Sequence, residues 1–430
     1  MRKIVDDFLL KYGMHYKNIN MDKYMLDFAS QMQAGLTGKK SSLLMIPAYI
    51  SLKVNLPKDE EVIAIDAGGT NLRVGSMRIK NGSLTITNFN KYPMPGAKTA
   101  ITKDEFFNKL ADYLEPVTDL SDKIGFCFSY PVEILPNCDG RILSLTKEIR
   151  IEDGVGAILG ESLNEVFRAR GKKEKRIVVL NDTVATLLGG ISSNDKEYEN
   201  YIGYILGTGT NTAYMESCVN ITKNAEIIKR SGQMVINMES GNYDGFDHGV
   251  FDAELDLDSK EPGSYKMEKM ISGAYRGNGI FRTVKKAVED GLFSDGMVKS
   301  FAGFTDFTLE DISAYCADPG GNNMLSDLTD VAEDKEILLE IIDANYERSA
   351  LFAATVFGAI LSHCDYGKNA SKPVCITAEG TLFTKSVLFR PKLDFYMKSY
   401  VQDKLGRYAD IITVEDSTLR GTAIAALMTE

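Results

Sequence analysis

The 430-residue chain contains no tryptophan and only three histidines, His15, His248 and His363. Its six cysteines, at positions 127, 138, 218, 316, 364 and 375, include no CxxC pair. Structural zinc sites need clustered Cys and His donors, so a zinc domain is not expected. Thiols without framework spacing point to a reducing compartment, and the expected location is the cytoplasm. Cations are short too: 49 Lys and Arg against 60 Asp and Glu leave a net charge of −11. Such a surface repels polyanions, which excludes general nucleic-acid binding but not a small phosphorylated ligand held by local amides. Long apolar runs are missing. The longest, residues 350–361, is interrupted by Thr355 and Gly358. A bilayer span needs about 20 apolar residues, so this segment reads as a buried core helix and no membrane span is expected. The opening MRKIVDDFLLKYG is too short and too acidic for a signal peptide.

What remains is an ordinary globular composition, 44% hydrophobic and 25% charged, over a length that suits two or three domains. Residues 1–50 read as helical, with Met25, Phe28, Ala29, Met32 and Leu36 at helical spacing. Strands are expected at 62–66, 72–79, 84–89, 123–129 and 177–180, with a helix face traced by Val155, Ile158, Leu159, Leu163, Val166 and Phe167 and another helix over 183–191. The second half repeats the logic. Strands are expected at 201–206 and 212–216 around a turn, then long helices at 266–289 and 336–363, strands at 374–378 and 411–414, and a closing helix. Hairpins mixed with crossover helices indicate an α/β protein.

Four groups of residues carry chemistry. In IAIDAGGTNLRV (63–74) an apolar strand ends in Asp66, and a glycine turn follows. The amides of Gly68, Gly69 and Thr70 can cradle phosphate oxygens, and Arg73 can add a bidentate contact. Asp66 suits Mg²⁺ held through water, because Mg²⁺ takes one or two carboxylates and keeps several waters. The turn is echoed by TGTN at 208–211, again between two apolar strands. Two such turns can hold one phosphate chain from both sides. In IVVLNDTVATLLGG (177–190) a buried strand delivers Asn181 and Asp182 to the edge where α/β proteins bind ligands. A carboxylate there can accept a hydroxyl proton. Read alone, Asp182 is a cap for the helix starting at Thr183. The strings INMESGNYDGF and YKMEKMISGAYRG carry isolated carboxylates, Glu239 and Glu268, which suit sugar hydroxyls. Glu268 by itself reads as a solvated charge on a helix face. Ser129 in GFCFSYP, and Thr146 and Lys147 in SLTKE, read unaided as a strand-end serine and a loop pair.

In this order the strings DAGGTNLRV, GFCFSYP, LTK, LNDTVATLL, LGTGTNTAYME, INMESG, MEKMISGAY, ERSALFAA and AEGTLF resemble the hexokinase family nearly end to end, closing on a turn Arg420-Gly421-Thr422-Ala423. The resemblance implies the two-domain actin-like ATPase (ribonuclease H-like) fold, α/β with a central cleft. Its small domain would be 57–181 plus 417–430, and its large domain 1–56 plus 182–416. It implies phosphorylation of the 6-hydroxyl of glucose or a related hexose by Mg·ATP, with Asp182 as the base and Lys147 and Arg73 assisting. Ser129, Thr146, Lys147, Asn181, Asn211, Glu239 and Glu268 correspond to sugar contacts. Asp66, Gly68, Gly69, Thr70, Asn71, Arg73, Thr208, Gly209, Gly273, Gly380 and Thr381 correspond to the nucleotide side. No nucleic-acid or membrane partner is implied, and the oligomer would be a monomer or homodimer. The chain departs from the family pattern at Ser240, at Ala274, at Gly277-Asn278, and at Ser417 and Leu419, where relatives carry glycine. Leu419 is expected to crowd the closing turn. These departures leave open a preference for another hexose or donor, or a catalytically weak sugar sensor.

Overall fold

Alternation along the strands sets the architecture. In the strand Glu61–Ala67, side chains of Ile63, Ile65 and Ala67 join one apolar cluster, while Val62 and Ala64 join another. The strand is therefore buried on both faces, as its near-continuous apolar run requires. The computed structural model describes residues 2–51, 59–80, 83–145, 149–192 and 196–429.

Two mixed sheets organise these residues. One has five strands, in the order Arg176–Leu180, Lys123–Phe128, Glu61–Ala67, Asn71–Lys80, Ser83–Pro93. The other has six, in the order Ile46–Pro47, Gln233–Asn237, Thr210–Ser217, Tyr201–Leu206, Val374–Glu379, Ala409–Ile412. Set the two-residue edge strand Ile46–Pro47 aside, and the sheets share one plan. A first strand (Glu61–Ala67 or Tyr201–Leu206) turns into an antiparallel hairpin on one side and pairs in parallel on the other. A fifth strand then leads into a helix, Asp182–Ile191 or Ser417–Met428. The echo between the GGTN and TGTN turns thus belongs to a duplication of the whole unit.

Those two helices pack on each other between the sheets. Their apolar residues, Val184, Leu187, Leu188, Leu419, Ala423 and Ile424 among them, join one cluster with Val62 and Ala64 of the first sheet and Ala213, Met215 and Val235 of the second. The crossing is close: a Cβ at Gly421 would stand 1.7 Å from the Ala185 carbonyl oxygen, so only glycine fits. A larger core surrounds the helix Ala332–His363, whose residues 350–361 are all buried, as the apolar run required. Among the described residues no helix is long and apolar enough to cross a membrane.

Four expectations shift. Helix within 1–50 ends at Leu36, and Ile46–Pro47 pairs as an edge strand with Gln233–Asn237. The helix over 266–289 is two, Lys266–Ile271 and Gly273–Glu289, because Ser272 takes extended backbone (φ −82°, ψ 163°). The helix face read from Val155 begins only at Leu159. The closing segment is no turn beyond Asp416: Ser417–Met428 is helical, and Leu419 is fully buried in the core rather than crowding a turn.

Candidate functional site

The same alternation puts polar side chains at the rim of the core between the sheets. Asp66 follows Val62 and Ala64 on one sheet. Asn211 precedes Ala213 and Met215 on the other, and Asn237 follows Val235. Side chains two residues apart share a face, so the apolar floor ends in polar groups where the strands emerge.

Asp182 opens the helix behind this rim. It is not the cap: the Asn181 side chain accepts from the Thr183 amide at 2.8 Å, which leaves the Asp182 carboxylate facing the site. The Thr183 hydroxyl donates to it at 3.2 Å. Burial, then the negative charges of Glu239 and Asp66, raise Asp182 to about 6.

The second sheet supplies an amide and carboxylate set. Asn211 donates to Asn237 Oδ1 at 2.7 Å and to Glu239 Oε1 at 3.5 Å, and Asn237 donates to the same Glu239 oxygen at 2.8 Å. Glu239 sits at φ 55°, a left-handed conformation that aims its carboxylate along the rim at a cost in backbone strain. Glu268 accepts from the Thr210 amide at 2.9 Å, so its reading as a solvated helix charge fails. Burial raises both Glu239 and Glu268, with Asn237 opposing the shift for the first and the Thr210 amide for the second. Ser129 lies at the end of its strand, its amide donating to Ala67 O at 3.1 Å. Thr146 and Lys147 lie outside the described residues.

Asp66, in register with Arg73 across the hairpin, takes two donors from its guanidinium. Arg73 also reaches Asp416 at 3.0 Å and Thr418 at 2.7 Å. The Gly68 amide is not free as expected, because it closes the turn by donating to Asn71 O at 3.1 Å. A Cβ on Gly69 would meet nothing within 4 Å, so the turn stays open there, and Asn71 donates to the Thr70 hydroxyl. The second turn gathers residues far apart in sequence. The Gly273 and Ala274 amides donate to the carbonyls of Gly207 and Thr208, and Gly207 donates to Gly209 O. Gly380, at φ 116°, fits beside Leu206 where a Cβ would come within 2.2 Å of its carbonyl oxygen. Thr381 opens the short helix that follows.

Sequence reasoning missed Asn237, Tyr130, Glu379 and Asp416. Asn237 was legible, two residues before Glu239 at the end of an apolar strand. Tyr130 donates to the carbonyls of Gly68 and Gly69 and braces the first turn. Glu379, raised by burial, accepts from Ser417 and Thr186. Nothing local marks the partners of the last three.

Duplicated mixed sheets, joined by two crossing helices and rimmed by carboxylates and two glycine-containing turns, make this an α/β fold. Family models described as hexokinase match residues 9–191 and 201–428. The chain is 30% identical to hexokinase-1 of Spinacia oleracea, over 93% of this chain and 84% of that protein. It is 29% identical to hexokinase-2 of Arabidopsis thaliana, over 92% and 84%. A Schistosoma mansoni hexokinase solved with glucose shares the fold, with a TM-score of 0.76 and 24% identity over 99% of each chain. A second hexokinase structure scores 0.80 at 20% identity, again over 99% of each. The chain belongs to the hexokinase family. It carries that family's enzymatic activity, and the family uses ATP.

Proposed function

We propose that this chain transfers the terminal phosphoryl of ATP to the 6-hydroxyl of glucose or a closely related hexose, with Asp182 as general base. The observation that carries the reading is the Asp182 carboxyl, relieved of capping by Asn181 and pushed up to about 6. At neutral pH it is ionised, yet it is a stronger base than an ordinary aspartate, which suits it to take a hydroxyl proton. The Schistosoma relative solved with glucose supports the choice of sugar.

Asn211, Glu239 and Glu268 are the sugar's hydrogen-bonding wall, and Asn237 holds the first two in register. Asn181 keeps its amide N–H₂ for the sugar while its oxygen caps the helix. Ser129 contributes from the other sheet, and the family resemblance assigns Thr146 and Lys147 to the sugar as well, with Lys147 assisting the transfer. The Gly69–Asn71 and Thr208–Gly209 turns, with Gly273, Gly380 and Thr381, take the nucleotide, and Arg73 meets developing phosphoryl charge.

A divalent ion fits at Asp66. Arg73 and Thr418 all engage Oδ2, which leaves Oδ1 outside that network for a cation or its water. Mg²⁺ bound there would neutralise phosphate charge. The domain division proposed is 57–181 plus 417–430 against 1–56 plus 182–416. Sugar touching both lobes would favour the closed form and exclude water, which competes with the hydroxyl. A cytoplasmic monomer or homodimer is the proposed setting, in keeping with six free thiols.

Initial rates of ADP release against a panel of hexoses and phosphate donors test the reading, with Asp182→Ala alongside. The variant should bind sugar yet lose about 10²–10⁴-fold in kcat. Near-normal turnover in Asp182→Ala removes Asp182 as the base. A rate maximal with a ketose or with a donor other than ATP removes the substrate assignment.

A further inference from the structure

Asp416 holds a position where aspartate normally caps a helix, and it does not cap. It precedes Ser417–Met428, the counterpart in the second half of the chain to the helix that Asn181 caps in the first. Aspartate and asparagine are equally good caps. Asn181 has extended backbone and accepts from its helix, whereas Asp416 sits at φ 52° and its side chain makes no cap hydrogen bond. Its carboxylate turns instead to Arg73 Nη1 at 3.0 Å.

That contact changes what Arg73 can offer. A guanidinium has five N–H donors, and it grips phosphate through two parallel ones on a single edge. The Nε–Nη2 edge of Arg73 is given to Asp66 Oδ2. Nη2 also donates to Thr418 Oγ1 at 2.7 Å, and Nη1 donates to Asp416. No edge is left with two free donors. Asp66 and Asp416 both ion-pair with this guanidinium, and Glu379 adds a third negative charge nearby. One cation therefore stands among three carboxylates. A polyphosphate approaching this corner meets net negative charge until something neutralises its own.

We infer that Asp416 is a specificity-determining residue. It occupies the phosphate-binding face of Arg73, and so biases the site toward metal-complexed nucleotide and against the metal-free polyanion. The inference rests on the proposal that Arg73 lies at the polyphosphate site. Phosphate oxygens take the place of the Asp416 carboxylate on Nη1, and the displaced carboxylate has the uncapped start of its own helix as an alternative partner. Nucleotide whose charge is already offset by a divalent ion makes this exchange easily, and free nucleotide does so against repulsion.

Calorimetric titration tests this with ADP plus excess Mg²⁺, and with ADP plus EDTA. The proteins are the full-length wild type, Asp416→Asn and Asp416→Ser. Asparagine keeps the side-chain shape without the charge, and serine removes the reach as well. Hexose titration of each variant reports that the fold is intact, since Asp416 touches none of the sugar wall. Both substitutions should tighten metal-free ADP by about tenfold or more, a gain on the scale of one charge contact removed, while Mg·ADP tightens by less than about threefold. The preference of the wild type for the metal complex should shrink accordingly. Equal changes for both forms of ADP, or no change in either, overturn the role of Asp416. A wild-type protein that phosphorylates hexose but shows no ADP binding dependent on Arg73, tested with Arg73→Gln, overturns the nucleotide-site reading beneath it.

Discussion

Replacing Asp182 by asparagine should disable the enzyme and stabilise it. The carboxyl lies at about 6 instead of the ordinary 3.8, because it is buried and faces Glu239 and Asp66. The folded chain thus holds this proton more tightly than the unfolded chain does. Between about pH 4 and pH 6 the folded state binds more protons, so stability falls as pH rises through that window. Above it, the ionised carboxylate costs the fold roughly 3 kcal/mol, at about 1.4 kcal/mol for each tenfold change in proton affinity. Asparagine never ionises and escapes this cost. At about pH 7.5, Asp182→Asn should be more stable than the wild type by up to roughly 3 kcal/mol, and the advantage should vanish near about pH 4, where both side chains are neutral. Turnover should fall about 10²–10⁴-fold. Thermal scans of both proteins at about pH 7.5 and about pH 4.5 read the sign and its pH dependence directly. A variant that melts at or below the wild type at the higher pH would refute the reasoning, as would a gap indifferent to pH.

Glu239→Gln should raise the sugar KM by about tenfold or more while changing kcat less, because it removes a charged acceptor held by Asn237 at 2.8 Å; an unchanged KM would take Glu239 out of the sugar wall. Sugar affinity, followed by calorimetry, should weaken on acidification at a pH above that of an exposed glutamate. Burial raises Glu239 and Glu268, and protonation removes their charge and turns one oxygen of each into a donor. Gly421→Ala should lower stability by about 1–3 kcal/mol or more, read from the denaturant midpoint, because its methyl would stand 1.7 Å from Ala185 O. Asp252→Ala should cost about 3–5 kcal/mol on the same measurement, since it strands Arg348, whose side chain is 4% exposed and 2.6 Å from its partner; wild-type stability there would show the pair is solvated.

Much of this protein is written in local pattern. Alternating residues in 61–67 and 210–217 decide which side chains enter the core and which polar ones stand at its rim, because strand geometry has a period of two whatever surrounds it. Glycine turns after apolar strands, and Asn-Asp before an apolar helix, mark the site for the same local reason. Packing decided the rest. Whether Glu268 was a surface charge or a buried acceptor depended on the Thr210 amide, 58 residues away. That Asn181 caps, and so leaves Asp182 to the site, could not be read from two adjacent candidates. The raised pKa of Asp182 comes from burial and from two carboxylates distant in sequence, Glu239 and Asp66. The partner of Asp416 lies 343 residues back along the chain. Propensity and periodicity act over a few residues, whereas a charge responds to everything within several ångströms, and only the tertiary structure decides what that is.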